Sequence, residues 1–482
     1  MHRQRGPGSC FHGYFVSLLV LLCNATDPSL TLFPDTISNK NLSSIQLDHP
    51  GRPSIWIGNS MGFDNEAGSS YGLPGTDGAA LPFIDPPPPL LSSRPKAFAN
   101  IFIAIVGAGV LGLPYAFKKT GWLLGVLLIA AVALITYHCM MLLVRTRRRL
   151  EQPDDAGAYS KISSFGDLGY AACGHLGRYS VDVMIVLSQA GFCVGYVIFI
   201  ANTLRNLIAT PRVLGIDAKS LYVWGLFPFQ LGLNSIPTLT HLAPLSIFAD
   251  IIDLAAMGIV LVEDVLIFVR DRPPLQAFGG LSVLFYGLGV AVYAFEGIGM
   301  ALPLESETAD KKQFGKILGL SIAFIALIYA SFGVLGYAAF GQKTNEIITL
   351  NFGGGVISTL VQVGLCINLF FTFPLMMNPV HEVFERMFWR GRFCLWLRWI
   401  VVLGVCLVAL SVPNFADFLS LVGSSVCILL GFVLPSLFHL VVFKEDLGWV
   451  EIVSDVVIVV LGVAFAISGT VASLVEMFAV KG

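Results

Sequence analysis

The chain has 482 residues, of which 55% are hydrophobic and only 12% are charged, and its formal net charge is −2. Soluble domains carry about 25% charged residues, so this composition excludes an ordinary soluble fold and indicates a protein that crosses a membrane many times. The nearly neutral charge balance gives no sign of a nucleic-acid partner, and none of the nine cysteines forms a C-x-x-C pair that would suggest zinc binding.

The first 95 residues differ in composition from the rest of the chain. They are rich in Pro, Ser, Gly and Asp, which predicts a mostly disordered extension that ends in the flexible linker DPPPPLLSSRP (85–95). The apolar run YFVSLLVLLC (14–23) follows basic residues and resembles a signal peptide. We favour an unprocessed accessory extension over a cleaved signal.

Residues 96–480 are predicted to form the membrane domain. A helix needs about 20 apolar residues to cross the hydrocarbon core. Lys and Arg are more frequent in the loops that share a side with residue 96, which predicts a cytosolic N-terminus and, after eleven spans, a C-terminus on the opposite side. The eleven predicted spans lie near 97–117, 122–144, 180–203, 221–237, 242–267, 281–302, 317–339, 355–378, 396–412, 418–442 and 452–478.

The first span contains IVGAGVLGLPYAF (105–117), whose Gly107, Gly109 and Gly112 match the G-x-G-x-x-G pattern of dinucleotide-binding proteins. That function needs a preceding strand and an acidic residue about 20 positions later, and the sequence offers neither. Glycines and Pro114 within a span indicate instead a helix that bends or unwinds. Unwound backbone survives at membrane depth only where it lines a protein-enclosed cavity. Close packing between helices is the alternative explanation.

The sixth span repeats this pattern in VAVYAFEGIGMALPLE (290–305), where two glycines again precede a proline. If residues 97–267 form one five-helix repeat and residues 281–442 form the next, each repeat begins with a broken helix. The helix near 452–478 is then an addition outside the repeats. Interrupted helices at corresponding positions are the best sequence indication of a substrate site in an inverted-repeat transporter.

The chemistry of broken helices indicates the kind of substrate. Half-helix N-termini attract carboxylates, and freed carbonyl groups accept hydrogen bonds from an ammonium group. A zwitterion such as an α-amino acid uses both. No Lys or Arg lies near the middle of the two broken spans, where Glu296 is the only acid. We therefore expect a substrate with a neutral side chain.

Four stretches resemble the amino acid/auxin permease family, namely IVGAGVLGLPYAFKKTGW (105–122), AFEGIGMALPLESET (294–308), QVGLCINLFFTFPLMMNP (362–379) and NFADFLSLVGSSVCILLGFVLPSLFHL (414–440). They look most like the plant vacuolar neutral amino acid exporters of that family, which are related to animal proton-coupled amino acid transporters. The resemblance covers about residues 95–480. It implies an all-α polytopic membrane protein with eleven spans, a leucine-transporter-type 5+5 inverted repeat, and broken first and sixth helices.

The resemblance also implies a secondary active transporter that moves neutral L-amino acids across the vacuolar membrane, with protons and toward the cytosol. It places the N-terminus in the cytosol and the C-terminus in the lumen. By position in the motifs, it implies substrate contacts from the unwound parts of the first and sixth helices and from the third helix. The matching residues are Gly107, Ala108, Gly109, Gly112, Tyr196, Phe295, Gly297 and Gly299. Tyr196 would equally fit a hydrogen bond within the core, and Asn202 fits a helix cap or an interhelical hydrogen bond better than a substrate contact.

Proton coupling requires a group that gains and loses a proton, and Glu296 is the first candidate. A carboxylate at membrane depth costs about 2.5 kcal/mol or more and is functional by default. The alternative is that Glu296 bonds permanently to freed N–H groups of the first helix and never titrates. Asp250 and Asp253, one turn apart in the fifth span, are the reserve proton carriers. The expected partners are thus a neutral amino acid, protons and membrane lipid, with no cofactor, metal or nucleic acid.

Other functional classes leave weaker traces in the sequence. An intramembrane enzyme is disfavoured, because HEVFE (381–385) has Glu385 where an H-E-x-x-H zinc motif needs its second histidine, and no G-x-S-x-G is present. A channel lacks a repeated pore loop or a ring of charges. The main alternative is a receptor on a transporter fold, which senses amino acids without moving them.

Overall fold

The computed structural model describes residues 91–152, 162–208, 217–237, 243–280, 283–352 and 355–479. Most of the predicted N-terminal extension, with its apolar segment at 14–23, lies outside these residues, and so do the side chains of 243–250. The described residues form helices and loops, without a β-strand. We number the α-helices in chain order.

The helices of the first half of the chain are α1 (Arg94–Ile105), α2 (Leu113–Thr120), α3 (Trp122–Leu150), α4 (Phe165–Ile208), α5 (Ala218–Asn234) and α6 (Ala243–Asp271). Those of the second half are α7 (Leu284–Ala294), α8 (Ala301–Glu307), α9 (Phe314–Phe340), α10 (Val356–Trp389), α11 (Leu395–Ser411), α12 (Phe415–Val422), α13 (Leu434–Val442) and α14 (Trp449–Ala479). Each of the eleven predicted span regions therefore contains helix.

Length and composition qualify seven of the described helical segments as candidate membrane spans. They are Trp122–Leu150, Phe165–Ile208, Leu284–Glu307, Phe314–Lys343, Val356–Trp389, Phe415–Val442 and Trp449–Phe478. The pair Arg94–Ile105 and Ala108–Thr120 qualifies jointly as an eighth. The all-helical membrane class is thus confirmed, whereas the count of eleven and the 5+5 inverted repeat stay predictions.

The first span is broken where its glycines predict. Helix α1 ends at Ile105, and Val106 and Gly107 are extended. A short 3₁₀ helix over Ala108–Gly112 then leads into α2, and the two halves of the span differ in direction by 52°. Pro114 occupies the first turn of α2, where its missing N–H costs nothing.

The sixth span is broken in the same way. Helix α7 ends at Ala294, the chain leaves helical geometry through Gly297, and a 3₁₀ turn over Ile298–Met300 precedes α8. The prediction of two interrupted helices is confirmed.

Three further helices position these breaks. Helix α9 packs against α1, α2, α3 and α6, so it supports both halves of the first span. Helix α4 is kinked at Cys173 and Gly174, and the part that follows packs along α10. Between α12 and α13 the chain forms two π-helical turns, over Gly423–Cys427 and Leu429–Val433, and the first of these packs against α7.

Candidate substrate site

The two breaks lie against each other in the middle of the bundle. A Cβ atom placed on Gly109 would stand 2.9 Å from the Cα atom of Ala294, the last residue of α7. A Cβ atom placed on Gly297 would stand 2.9 Å from Cγ1 of Ile105, the last residue of α1. The glycines therefore allow a backbone approach that a larger residue would prevent, so packing and unwinding operate at the same positions.

The hydroxyl group of Tyr329 on α9 joins the two breaks. Its oxygen lies 3.0 Å from the carbonyl oxygen of Ala294 and 3.3 Å from that of Ile105. Both carbonyls belong to helix ends, which lack the intrahelical N–H partner that a continuous helix supplies. The ring of Phe295 packs edge-on against Tyr329 with the ring centroids 5.0 Å apart. Tyr329 thus satisfies backbone groups that the interruptions free.

A cavity of about 100 Å³ lies beside the breaks. One water molecule needs roughly 10–15 Å³ by this measure, so the space suits a small solute as well as water. The first break supplies its backbone wall, and α4, α6, the end of α7 and α10 supply side chains. The lining residues are Ile103, Ala104, Ile105, Val106, Gly107, Ala108, Gly109, Phe192, Tyr196, Asp253, Tyr293, Ala294, Glu296, Asn368, Leu369, Thr372, Leu375 and Met376.

The cavity wall offers groups for both ends of a zwitterion. The 3₁₀ helix begins at Ala108, so the N–H groups of Ala108 and Gly109 have no partner within that helix and lie at the positive end of its dipole, whereas the N–H of Val110 bonds to the Gly107 carbonyl. The carbonyl groups at the end of α1 carry the opposite partial charge, and Ile103, Ala104 and Ile105 of that end also line the cavity. Asp253 and Glu296 add two carboxyl groups, and no lysine or arginine occurs among the described lining residues.

Glu296 stands between the cavity and the π-helical segment. Its carboxyl group is within reach of the backbone N–H of Ile298. On the other side, Oε2 lies 3.8 Å from the position that a Cβ atom on Gly431 would take. The side chain is therefore held beside the second break while part of it faces the cavity.

Two polar residues of α10 that no sequence motif singles out also line the cavity. The Thr372 hydroxyl lies 2.9 Å from both the backbone carbonyl oxygen and the side-chain oxygen of Asn368, and its single hydrogen atom bonds to one of them. The two stand one helical turn apart in the otherwise apolar stretch CINLFFTF, and this spacing is the signal that could have found them. Phe192 and Tyr293 meet edge-on with centroids 4.8 Å apart and form an aromatic wall.

The predicted substrate-binding residues separate into two groups. Gly107, Ala108, Gly109 and Tyr196 line the cavity together with Glu296 and Asp253. The others stand outside the lining: Phe295 is buried on Tyr329, Gly112 faces Leu419 of α12, Gly297 faces Ile105, and Gly299 has open space around it. The binding roles of both groups stay predictions.

Asn202 and Asp250 are the remaining residues that the sequence singles out. Asn202 is outside the cavity lining and donates to Oε1 of Glu346 over 3.1 Å, which agrees with its interpretation as a hydrogen-bonding residue between elements. Asp250 is part of α6, but its side chain lies outside the described residues.

Comparison with known proteins assigns the family. Residues 92–475 match the family described as transmembrane amino acid transporter protein, which is most of the chain. The chain belongs to this family. The predictions of a family of amino acid transporters and of a protein that is not an enzyme are therefore confirmed. The relatives described below are all named as transporters, and the alternative of a sensing receptor gains no support from them.

Relatives in a flowering plant are similar over nearly their whole length. The amino acid transporter AVT3C of Arabidopsis thaliana is 62% identical over 87% of this chain and 100% of its own length. Amino acid transporter AVT3B of the same plant is 66% identical over 80% of this chain and 94% of its own.

A more distant relative is known from yeast. The vacuolar amino acid transporter 3 of Schizosaccharomyces pombe is 27% identical over 79% of this chain and 57% of its own length.

Proposed function

We propose that this transporter moves neutral L-amino acids across the vacuolar membrane toward the cytosol, coupled to the movement of protons. The vacuolar location is supported by the name of the yeast relative. The N-terminus is proposed to face the cytosol and the C-terminus the lumen, from the distribution of basic residues in the loops.

One observation carries the proposal: the cavity beside the two facing breaks has backbone donors, backbone acceptors and two carboxyl groups, with no basic side chain in its described lining. The backbone N–H groups at Gly107–Gly109 suit the substrate carboxylate, and the carbonyl groups with Asp253 or Glu296 suit the ammonium group. A cationic side chain on the substrate would be attracted to the same acids, whereas an anionic one would meet no fixed cation. The narrow, largely apolar remainder, with Leu369, Leu375 and Met376, favours small neutral side chains.

Flux measurements on the purified, full-length protein in sealed vesicles test the proposal. We expect neutral amino acids to be taken up, and an imposed pH gradient to drive them above equilibrium. Uptake that depends on the substrate but ignores the pH gradient would support a facilitator and overturn proton coupling. Binding without any flux would overturn transport itself.

Substitution of Glu296 tests which carboxyl group takes the proton. The change Glu296→Gln keeps the shape and part of the hydrogen bonding but removes the charge change. We expect the variant to exchange substrate at equal concentrations on both sides and to lose accumulation driven by a pH gradient. Asp253→Asn is the matched variant in the same cavity. Full gradient-driven accumulation by Glu296→Gln, with loss in Asp253→Asn, would transfer the role to Asp253.

A further inference from the structure

Asp264 on α6 is a buried carboxyl group without a partner. The residue has no exposed surface, and in the described part of the chain neither of its carboxyl oxygens receives a hydrogen bond. Other buried acids in the described residues are paired: Glu385 with Arg398, Asp417 with Tyr286, and Asp455 with His439. An isolated ionised carboxylate in an apolar interior is costly enough that the group gives up its charge instead. The surroundings of Asp264 therefore favour the neutral acid, whereas the other three carboxyl groups have partners.

The surroundings of Asp264 connect it with the broken first span. A Cβ atom placed on Gly336 of α9 would stand 2.6 Å from Cγ of Pro114 on α2 and 3.3 Å from Oδ2 of Asp264. The carboxyl group and the proline ring thus share the space that this glycine leaves. Three helices, α2, α6 and α9, meet at this point.

Asp264 is separate from the substrate cavity. It is not among the lining residues, and Asp253, which is, lies eleven residues earlier on the same helix, or about 16 Å along the axis. The helix α2 nevertheless connects the two places, because it continues directly from the 3₁₀ helix whose first turn faces the cavity. A movement of α2 would change both sites at once.

The charged groups on the neighbouring elements do not neutralise Asp264. On α2, Lys118 donates to the carbonyl oxygen of Thr344 over 3.0 Å, and Lys119 pairs with Asp417 and Glu476. The only cation within α9 is Lys316, twenty residues from Gly336. On α6 itself the adjacent ionisable residue is Glu263, which is an acid and supplies no positive charge. The first two turns of α10, which also packs on α6, carry no ionisable side chain.

We propose that Asp264 is a second proton-binding site of this transporter, occupied while α2, α6 and α9 are packed as observed here and emptied when α2 moves and admits water. The proposal rests on the proposed function, because it gives the proton a place outside the substrate cavity. In the packed state the carboxyl group is the neutral acid, with the proton on one of its two oxygens. When the contact opens, the proton passes to water and the hydrated carboxylate remains. By linkage, the packed state binds the proton more tightly than the open state does, and proton binding stabilises the packed state by the same factor.

Infrared difference spectroscopy on the purified, full-length protein tests this site directly. A buried, protonated carboxylic acid gives a C=O stretching band that is absent from an ionised carboxylate. We expect wild-type protein to show such absorption at neutral pH, and we expect the difference between the wild-type and Asp264→Asn spectra to contain a band from Asp264. Glu263→Gln removes the neighbouring acid on the same helix and serves as the control, which should keep the band. An unchanged spectrum in Asp264→Asn would overturn the proposal.

Flux measurements with the same variants give a second readout. We expect Asp264→Asn to exchange substrate at equal concentrations and to accumulate it at least several-fold less under a pH gradient, while Glu263→Gln accumulates like the wild type. Full accumulation by Asp264→Asn would overturn the coupling role. If the asparagine variant does not fold, Asp264→Glu keeps the titrating group and should shift the infrared band; an unshifted band would count against the proposal. If wild-type transport ignores the pH gradient, the proposed function fails, and the infrared result still decides whether Asp264 holds a proton.

Discussion

The Tyr329 hydroxyl bonds to both interrupted helices, since its oxygen lies within 3.3 Å of the Ile105 and Ala294 carbonyls. Replacement by phenylalanine leaves the ring against Phe295 but removes the donor from a buried site, where an unsatisfied backbone group costs about 1–3 kcal/mol. We expect Tyr329→Phe to lower the melting temperature and to weaken substrate affinity. Substrate-dependent thermal shift and uptake kinetics measure both effects.

Tyr337→Phe is the matched control for this prediction. Tyr337 is a buried tyrosine of the same helix α9, and its hydroxyl accepts from the backbone N–H of Gln276 and from the Gln342 side chain, away from the breaks. It should lose stability by a similar amount with an unchanged Michaelis constant. Equal loss of affinity in both variants would mean that Tyr329 acts only through general stability.

Gly109 and Gly299 are expected to differ although both were predicted to bind substrate. A Cβ atom on Gly109 would meet the backbone of Ala294 at 2.9 Å, whereas one on Gly299 would meet nothing within 4 Å. Overpacking of this kind costs about 1–3 kcal/mol, and here it would push the two breaks apart. We expect Gly109→Ala to lose most uptake at normal abundance in the membrane, and Gly299→Ala to transport normally. Loss of uptake in Gly299→Ala would indicate instead that this backbone contacts the substrate.

At the scale of elements, the loop between α9 and α10 holds several helix ends together. Oε1 of Glu346 accepts from Asn202 near the end of α4, and Oε2 accepts from the backbone N–H of Phe415 at the start of α12. Burial raises the pKa of Glu346 from its ordinary value of 4.5 to about 7, against the opposing effects of the Phe415 N–H and Lys219, while Asp417 adds to the rise. The packed loop therefore binds a proton more tightly than an exposed loop would.

The sign of the pH dependence follows from this linkage. The stabilisation is fully present below pH 4.5 and is lost as the pH rises through about 7, so acid favours the packed loop. We expect the melting temperature of the wild type to fall across that interval, and Glu346→Gln to flatten the curve. Glu445→Gln, in the exposed loop before α14, should retain the wild-type slope. A wild-type curve that rises between pH 4.5 and 7 would contradict the assignment.

The two interrupted helices can be predicted from the sequence, whereas the side chain that bonds to both of them cannot. Glycine and proline alter the backbone locally, so Gly107, Gly109 and Gly297 indicate the breaks without knowledge of any neighbour. Tyr329 has no such local signal, because a tyrosine in an apolar helix is ordinary until its distances to Ile105 and Ala294 are known.

The two acids of α6 likewise cannot be distinguished from the sequence alone. Asp253 faces the cavity and Asp264 faces Pro114, and only the tertiary packing distinguishes them. The first part of α4 was also not predicted, because Asp167, His175 and Arg178 interrupt its apolar pattern and the kink at Gly174 separates it from the apolar part.

For the whole molecule, the orientation in the membrane yields a prediction that does not depend on the substrate. The sequons Asn24-Ala25-Thr26 and Asn41-Leu42-Ser43 precede the bundle and lie outside the described residues. With a cytosolic N-terminus neither is glycosylated, so endoglycosidase treatment should leave the mobility unchanged. A sequon appended after Gly482 should be modified, since that end is expected in the lumen. Modification of Asn24 or Asn41, together with an unmodified C-terminal sequon, would show that the protein has the opposite orientation.

The contact of Tyr329 with both breaks affects the rate at which the carrier changes between its inward-facing and outward-facing states. A hydroxyl group carries a single hydrogen atom, so the Ile105 and Ala294 carbonyls share one donor in the observed arrangement. When either half moves away, the hydrogen atom can turn fully toward the carbonyl that stays, and little hydrogen-bond energy is lost in either direction. This contact should therefore add little to the barrier for leaving either the inward-facing or the outward-facing state.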